Sequence, residues 1–460
     1  MSPLPTGMFI EPGNGPMTSR PLQRVLRQAA RSHVSYPAFF LLLLLSACSF
    51  SSQPEPAPAP RTSIVFLHYF NDYQNSDLLA ATDLYNGQTK RYELKPVTVD
   101  HESFKTSIRK NLASAPADMY SYWAGARTAA VVEHLEPLDD IWAQNRLDRR
   151  FTPSLVKEAC EYNGRKYLIP LTQHYIGFFY NKRIFTSLGL EPPRTWPEFL
   201  KLCARLKGAG ITPVALGTKE KWPAQLWFDF LLLRTAPYEY RQQLMNGTAG
   251  FDSPPVTRVF RLWRQLIDNG YFNSDPNHLA WERGANEMVY SGRAAMTLMG
   301  SWLIGYFTDD SHRWVPGRDF DFFPFPVIDP GIPLVAVGPV DGMVIPRKAA
   351  HIQGAKDAML FLTGTDAQKL MLRYGKGAFS ANLTVPPESY DNLHQRILRH
   401  VMQCTHSTSS FELVTRRDVA ELGINAFMEF LEFPAASGAV QRQLAADAAL
   451  LFKSPRKERE

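Results

Sequence analysis

The chain is poor in cysteine: four occur in 460 residues, with no Cys-x-x-Cys pair and no zinc spacing among them. That excludes a disulfide-built scaffold and a cysteine-rich metal module. Long apolar runs are also missing. The longest, Ala38 to Leu45, falls far short of the roughly 20 residues that a membrane-spanning helix requires. No Gly-x-Ser-x-Gly, His-Glu-x-x-His, Walker loop or metal-spaced histidines occur, which removes the common marks of serine hydrolases, zinc peptidases and nucleotidases. Charge of one sign is scarce as well. The net +6 includes +3 from four arginines against Glu11 before Cys48, and +2 from Lys453 to Glu460. The body between them is near neutral and carries no basic stripe, so nucleic acid is not the partner.

What is present begins at the N-terminus. Arg20, Arg24, Arg27 and Arg31, with no acid among them, precede the apolar run and the small residues Ser46 and Ala47. A basic segment, a short apolar core and small residues at its end make an export signal, here over 1–47. Leu45-Ser46-Ala47-Cys48 resembles the lipobox of bacterial lipoproteins, in which the cysteine thiol takes a diacylglyceryl group and becomes the mature N-terminus. The resemblance implies a protein outside the cytoplasm, in the periplasm or at the cell surface, held to the membrane by lipid on Cys48. Residues 48–60, rich in serine and proline, read as a semi-extended spacer behind that anchor. Cys160, Cys203 and Cys404 remain. One disulfide among them and three buried free thiols are both open.

From Arg61 onward about 400 residues remain, enough for two or more domains at roughly 100 to 200 residues each. Ser63 to Phe70, Glu93 to Val99 and Asp118 to Tyr122 have strand patterns, and helical apolar spacing fills the intervals at Asp77 to Tyr85 and His101 to Leu112. Thr128 to His134 reads as a further helix. Strands alternating with helices argue a parallel, doubly wound sheet. Further on, Ile176 to Tyr180, Ala294 to Leu298 and Val340 to Ile345 read as strands. Trp196 to Lys207, Trp227 to Leu233 and Val256 to Ile267 read as helices, as do Leu393 to Met402, Ala420 to Phe433 and Val440 to Leu451.

Three stretches then stand in order at short intervals: Tyr162-Asn-Gly-Arg-Lys-Tyr-Leu-Ile-Pro170, Gly177-Phe-Phe-Tyr-Asn-Lys182 and Gly189-Leu-Glu-Pro-Pro-Arg-Thr-Trp-Pro-Glu-Phe199. Tyr290-Ser-Gly-Arg-Ala-Ala-Met-Thr-Leu-Met-Gly-Ser-Trp302 and Val340-Asp-Gly-Met-Val-Ile-Pro346 follow. Together they resemble the family 1 extracellular solute-binding proteins, the receptors of sugar-importing ABC transporters. The resemblance implies an α/β, two-lobed, periplasmic-binding-protein-like fold of type II, its doubly wound lobes joined by a hinge with the ligand cleft between them. Lobe one would comprise 61–172 and 341–380, lobe two 173–340, with C-terminal helices in 381–460 packed on the lobes. The crossing segments fall near Pro170 to His174 and Gly338 to Gly342. The implied partners are a carbohydrate and the permease subunits of an ABC importer. No cofactor and no metal are implied, and the receptor would act as a monomer. Two departures are visible: Gly338-Pro339-Val340 stands where paired glycines are common before the returning strand, and Tyr374-Gly-Lys-Gly-Ala-Phe-Ser380 lacks the proline expected near the cleft.

Sugars offer a C–H patch on one ring face and hydroxyls around the edge, so a site for them needs flat aromatic faces beside planar polar groups. Aromatics make up 12% of the chain, most of them needed for a core, so position must select among them. Tyr122 and Trp123 follow the third strand, at the carboxyl edge where open α/β sheets bind ligands. Trp302 follows the glycine-to-tryptophan strand, where the family stacks a sugar ring. Trp222, in Lys221-Trp222-Pro223, is a further stacking candidate. His174 and Tyr175 fall at the hinge, and Asp341 lies on the returning crossing segment, where it can accept from two hydroxyls. Asp72, with Asn71, follows the first strand, where turn residues are expected in any case. Asn181 and Lys182 read as structural residues that end a strand and start a helix.

An enzyme is the rival reading. A glycosidase needs two carboxylates roughly 5 to 9.5 Å apart, and Asp139, Asp140, Asp309 and Asp310 are candidates. A ligand-sensing lipoprotein that reports to a membrane signalling partner is the other.

Overall fold

The computed structural model describes residues 60–70, 72–373 and 377–454, except for the side chains of 72–76. These residues fall in one compact unit, Ala59–Glu460. The segment expected to be an export signal, Cys48, nearly all of the expected spacer and Asn71 lie outside the described residues. Nine strands carry the two main sheets. They are β1 (Thr62–His68), β2 (Tyr92–Thr98), β3 (Met119–Trp123), β4 (Ile169–Gln173), β5 (Ile176–Asn181), β6 (Thr212–Ala215), β7 (Ala294–Gly300), β8 (Phe320–Phe323) and β9 (Val340–Val344).

Alternation along β1 buries Ile64, Phe66 and His68 completely, because successive side chains point to opposite faces. The strand pairs in parallel with β2 over its whole length and with β3 near Phe66 and Leu67. Parallel neighbours need crossovers, and the helices Asp72–Gln88 and His101–Ser114 supply them. The second helix starts at Asp100, whose carboxylate accepts the Ser103 N–H at 2.9 Å. Much later in the chain, β9 enters this sheet antiparallel to both β3 and β4, giving the order β2-β1-β3-β9-β4.

The second sheet has the order β8-β5-β7-β6, with β5 antiparallel to both of its neighbours and β6 parallel to β7. The sequence stretches quoted for the resemblance act here as local stop and start signals. Asn181 ends β5 and caps the helix Lys182–Ser187, accepting from the Arg183 and Ile184 N–H groups at 3.1 and 3.3 Å. Thr195 and Glu198 form a capping box on the helix Trp196–Gly208, satisfying two N–H groups that a helix start otherwise leaves open.

Each sheet has its own core. Phe104, Tyr120 and Met343 belong to the first, and Phe178, Phe199, Trp227 and Trp263 to the second. The helix Arg417–Glu432 adds Phe427 to the second core, stacked on Phe228 at 4.5 Å between ring centroids. The chain leaves the first sheet at Gln173, enters the second at Ile176, and returns to the first at Val340. The fold is therefore α/β and two-lobed.

Three details differ from the sequence reading. The sheets are mixed rather than parallel, because β9 runs antiparallel in the first and β5 in the second. The helix expected over Thr128 to His134 is instead a short helix, Ala126–Ala129, followed by a 3-10 turn, Val132–His134. Val131 between them leaves helical backbone (φ −133°) and buries its side chain, so packing overrides local propensity. The first strand ends at His68 instead of Phe70, which frees Tyr69 and Phe70 to leave the sheet. Cys160, Cys203 and Cys404 are free thiols.

Candidate functional site

A cavity of about 420 Å³ opens where the carboxyl ends of β1, β2 and β3 meet residues of the second sheet. That volume lies within the range of roughly 300 to 1,000 Å³ usual for small-molecule sites. Tyr69 and Phe70 reach it from the end of β1, Thr98 and Val99 from β2, Trp123 from β3, and Asp341 from the start of β9. The register explains the last pair. Asp341 stands opposite Trp123 across the β3–β9 ladder, so both side chains project from the same face.

Asp341 is the polar centre of the first-sheet wall. The Tyr69 hydroxyl donates to its Oδ1 at 2.5 Å, the Thr172 hydroxyl donates to Oδ2 at 3.5 Å, and His174 Nε2 lies 3.5 Å from Oδ2. Burial, with the Asp341 charge beside it, holds the Tyr69 hydroxyl well above the usual tyrosine pKa, so it stays a proton donor. Its ring stacks on Trp123 at 4.3 Å and 14°.

His174 joins the two sheets. Its Nδ1 faces the Gly377 carbonyl oxygen at 3.1 Å and the Ser301 hydroxyl at 3.2 Å. Its ring meets the Trp302 indole edge-on at 5.5 Å. Trp302 lies back over Gly300, three of its ring atoms within 2.4 Å of where a Cβ on Gly300 would stand. Trp222 meets both Trp302 (5.8 Å) and Trp281 (5.6 Å) at steep angles, so the second-sheet wall is three indoles set at angles to one another.

Five of the sequence candidates therefore line one cavity: Trp123, His174, Trp222, Trp302 and Asp341. Two do not. Tyr122 is buried but does not line the cavity, because a strand residue next to Trp123 must face the other way. Tyr175 turns from His174 into an adjoining apolar cluster, 5.0 Å from the Phe379 ring. Asp72 opens its helix at the end of β1, and its side chain lies outside the described residues. The acidic candidates for a glycosidase lie elsewhere: Asp139 is bound to Arg165, Asp140 to Lys356 and Asp309 to His312, and none of these, nor Asp310, lines the cavity. Among the described residues no cluster of three His, Cys, Asp or Glu side chains is arranged to hold a metal ion.

Sequence reasoning missed Tyr69, Arg127, Trp281 and Glu412, all of which line the cavity. The carboxyl-edge argument applied to β3 reaches Tyr69 when applied to β1. Trp281 sits on a single π-helical turn, Trp281–Asn286, a feature that no local sequence pattern announces.

Two α/β lobes with a lined cavity between their sheets define a two-lobed binding-protein fold. The chain belongs to the bacterial extracellular solute-binding proteins, whose family model matches residues 77–369. An uncharacterized ABC transporter extracellular-binding protein of Pyrococcus horikoshii is 30% identical over 295 residues, 63% of this chain and 64% of that protein. A probable sugar-binding periplasmic protein of Mesorhizobium japonicum is 26% identical over 245 residues, 52% of this chain and 56% of its own length. The chain thus spans less than two thirds of these relatives. Among solved structures, the bacterial solute receptor AcbH, described with an exclusive preference for β-D-galactopyranose, superposes with a TM-score of 0.79 at 25% identity, covering 86% of this chain and 100% of that one.

Proposed function

We propose that this protein is an extracytoplasmic receptor, anchored by lipid on Cys48, that binds a mono- or oligosaccharide between its lobes and delivers it unchanged to an ABC importer. One observation carries the reading: an indole wall (Trp222, Trp281, Trp302) faces a hydrogen-bonding wall centred on Asp341 across one cavity. Apolar ring faces and a buried carboxylate are what a pyranose needs on its two sides. Relatives called sugar-binding and a structural neighbour described with galactopyranose support the same ligand class. Trp123, His174, Trp222, Trp302 and Asp341 are the contacts we assign.

Lobe one comprises 61–172 with 341–380 and lobe two 173–340, with 381–460 packed on them. Ligand bridges the lobes, shifts an open–closed equilibrium, and the permease reads the closed form. No cofactor takes part, and the unit that binds is a monomer.

A thermal-shift screen of mono- and oligosaccharides tests this. A ligand at 100 times its Kd stabilises by about 2.7 kcal/mol. The reading expects a clear upward shift with at least one sugar, and fails if amino acids or peptides shift the midpoint and no sugar does.

A further inference from the structure

The cavity has a wall that the family match does not reach. That match ends at 369, whereas Glu412 and Leu413 line the cavity from the short helix Phe411–Val414, and Ser410 from the residue before it. The segment is fixed from both sides. Phe411 packs in the second core against Phe228 and Phe427, while Leu413 packs in the first. Its backbone passes Gly125 so closely that a Cβ there would stand 2.2 Å from the Leu413 carbonyl oxygen.

Glu412 is held in place by its neighbours. Its backbone N–H donates to Gln225 Oε1 at 2.8 Å, Gln225 Nε2 donates to its Oε1 at 3.3 Å, and Arg127 donates to its Oε2 at 2.7 Å. Arg127 lies over the Trp123 indole, 4.9 Å from the ring centroid, and lines the same cavity. Burial disfavours the ionised carboxylate, but the Arg127 and Lys105 charges outweigh it and hold the Glu412 pKa below the usual range. The pair keeps spare capacity. A carboxylate offers about four acceptor positions, and the bond to Glu412 uses one of the roughly five guanidinium N–H groups. Side-chain exposures of 16% for Glu412 and 26% for Arg127 leave both partly open.

We infer that Glu412 and Arg127 form a ligand-reading pair, in which the carboxylate accepts from one sugar hydroxyl and the guanidinium donates to its neighbour. The C-terminal segment then helps set which hydroxyl pattern the cavity accepts. The inference rests on the carbohydrate reading above. Adjacent hydroxyls of a pyranose present a donor beside an acceptor, the complement of this pair, and the Trp123 face beneath Arg127 keeps the guanidinium plane oriented.

Titration calorimetry with the sugar that gives the largest thermal shift, D-galactose, xylobiose, raffinose and chitobiose being among those screened, tests it on the wild type, on Glu412→Gln, on Arg127→Glu, and on the exchange Arg127→Glu with Glu412→Arg. Glu412→Gln keeps the side-chain volume but turns one acceptor oxygen into a donor, and should weaken binding at least about tenfold. The exchange restores an ion pair between the same positions with donor and acceptor reversed. It should recover the unliganded melting temperature lost in Arg127→Glu alone, yet leave binding weak. Wild-type affinity in Glu412→Gln, or affinity restored along with stability in the exchange, would reduce the pair to a strut and overturn the inference alone. If the exchange does not fold, Glu412→Gln decides by itself. A wild type that no sugar of the thermal-shift screen stabilises, while amino acids or peptides do, overturns the carbohydrate reading and the inference with it.

Discussion

Gly300→Ala perturbs one contact and little else. Gly300 ends β7 with backbone that any residue can adopt, since it is not among the positive-φ glycines. An added Cβ would stand 2.1, 2.2 and 2.4 Å from three atoms of the Trp302 indole. An ordinary carbon–carbon contact lies near 3.5 Å or more, so the ring must retreat by about 1.4 Å. The His174 ring at 5.5 Å and the Trp222 ring at 5.8 Å limit where it goes. If Trp302 stacks on a sugar, that displacement removes an aromatic anchor worth about 2 kcal/mol, or roughly 30-fold in affinity. Overpacking costs about 1 to 3 kcal/mol of folding stability. With about 2.1 cal/mol/K of unfolding entropy per residue over about 400 residues, each kcal/mol moves the melting temperature by only about 1 °C. Calorimetric titration beside a thermal scan therefore separates the two effects. A Trp302→Ala background sharpens the test, because Gly300→Ala should then add almost nothing. Wild-type affinity in Gly300→Ala, or losses that multiply in the double variant, would refute the assignment of Trp302.

Cys48→Ala should abolish acyl labelling and move the protein from the membrane to the soluble fraction; membrane association with labelled chains still attached would rule out the lipobox. Burial pushes the His68 pKa down to about 4, against about 6.5 in the unfolded chain. The native state then binds fewer protons between those values, so stability is complete above about pH 6.5 and falls by about 3 kcal/mol as the pH drops to about 4. Urea midpoints of His68→Phe across that window should be flatter than wild type, and a parallel profile would show that His68 is not the group responsible. Gly338→Ala places a Cβ 1.7 Å from the His174 carbonyl oxygen, where two crossing segments touch backbone to backbone. It should cost about 3 kcal/mol in chemical denaturation, and a wild-type midpoint would mean the segments separate freely.

The sheet framework was readable because its signals are local. Alternation in β1, the capping box at Thr195 and Glu198, and the Asn181 cap each fix an element from a few neighbouring residues. The mixed direction of the first sheet was not readable, since β9 reaches β3 from over 200 residues away in sequence. Nearness to the carboxyl end of β3 brought Trp123 to the cavity but overcounted Tyr122, which the two-residue period of a strand sends to the opposite face. The hinge argument likewise reached His174 and overshot to Tyr175. Glu412 left no trace, because the contacts that hold it at the cavity come from Arg127 and Gln225, which are distant in sequence and meet it only in the folded chain.

The most direct test of the central claim is equilibrium titration of the purified wild-type protein with the sugar that gives the largest thermal shift, followed by mass spectrometry of the recovered ligand. The account predicts one sugar bound per chain and a ligand returned unchanged after prolonged incubation. Product formation that survives purification and disappears with a single carboxylate substitution would contradict it, as would binding that Trp302→Ala and Asp341→Asn both leave intact.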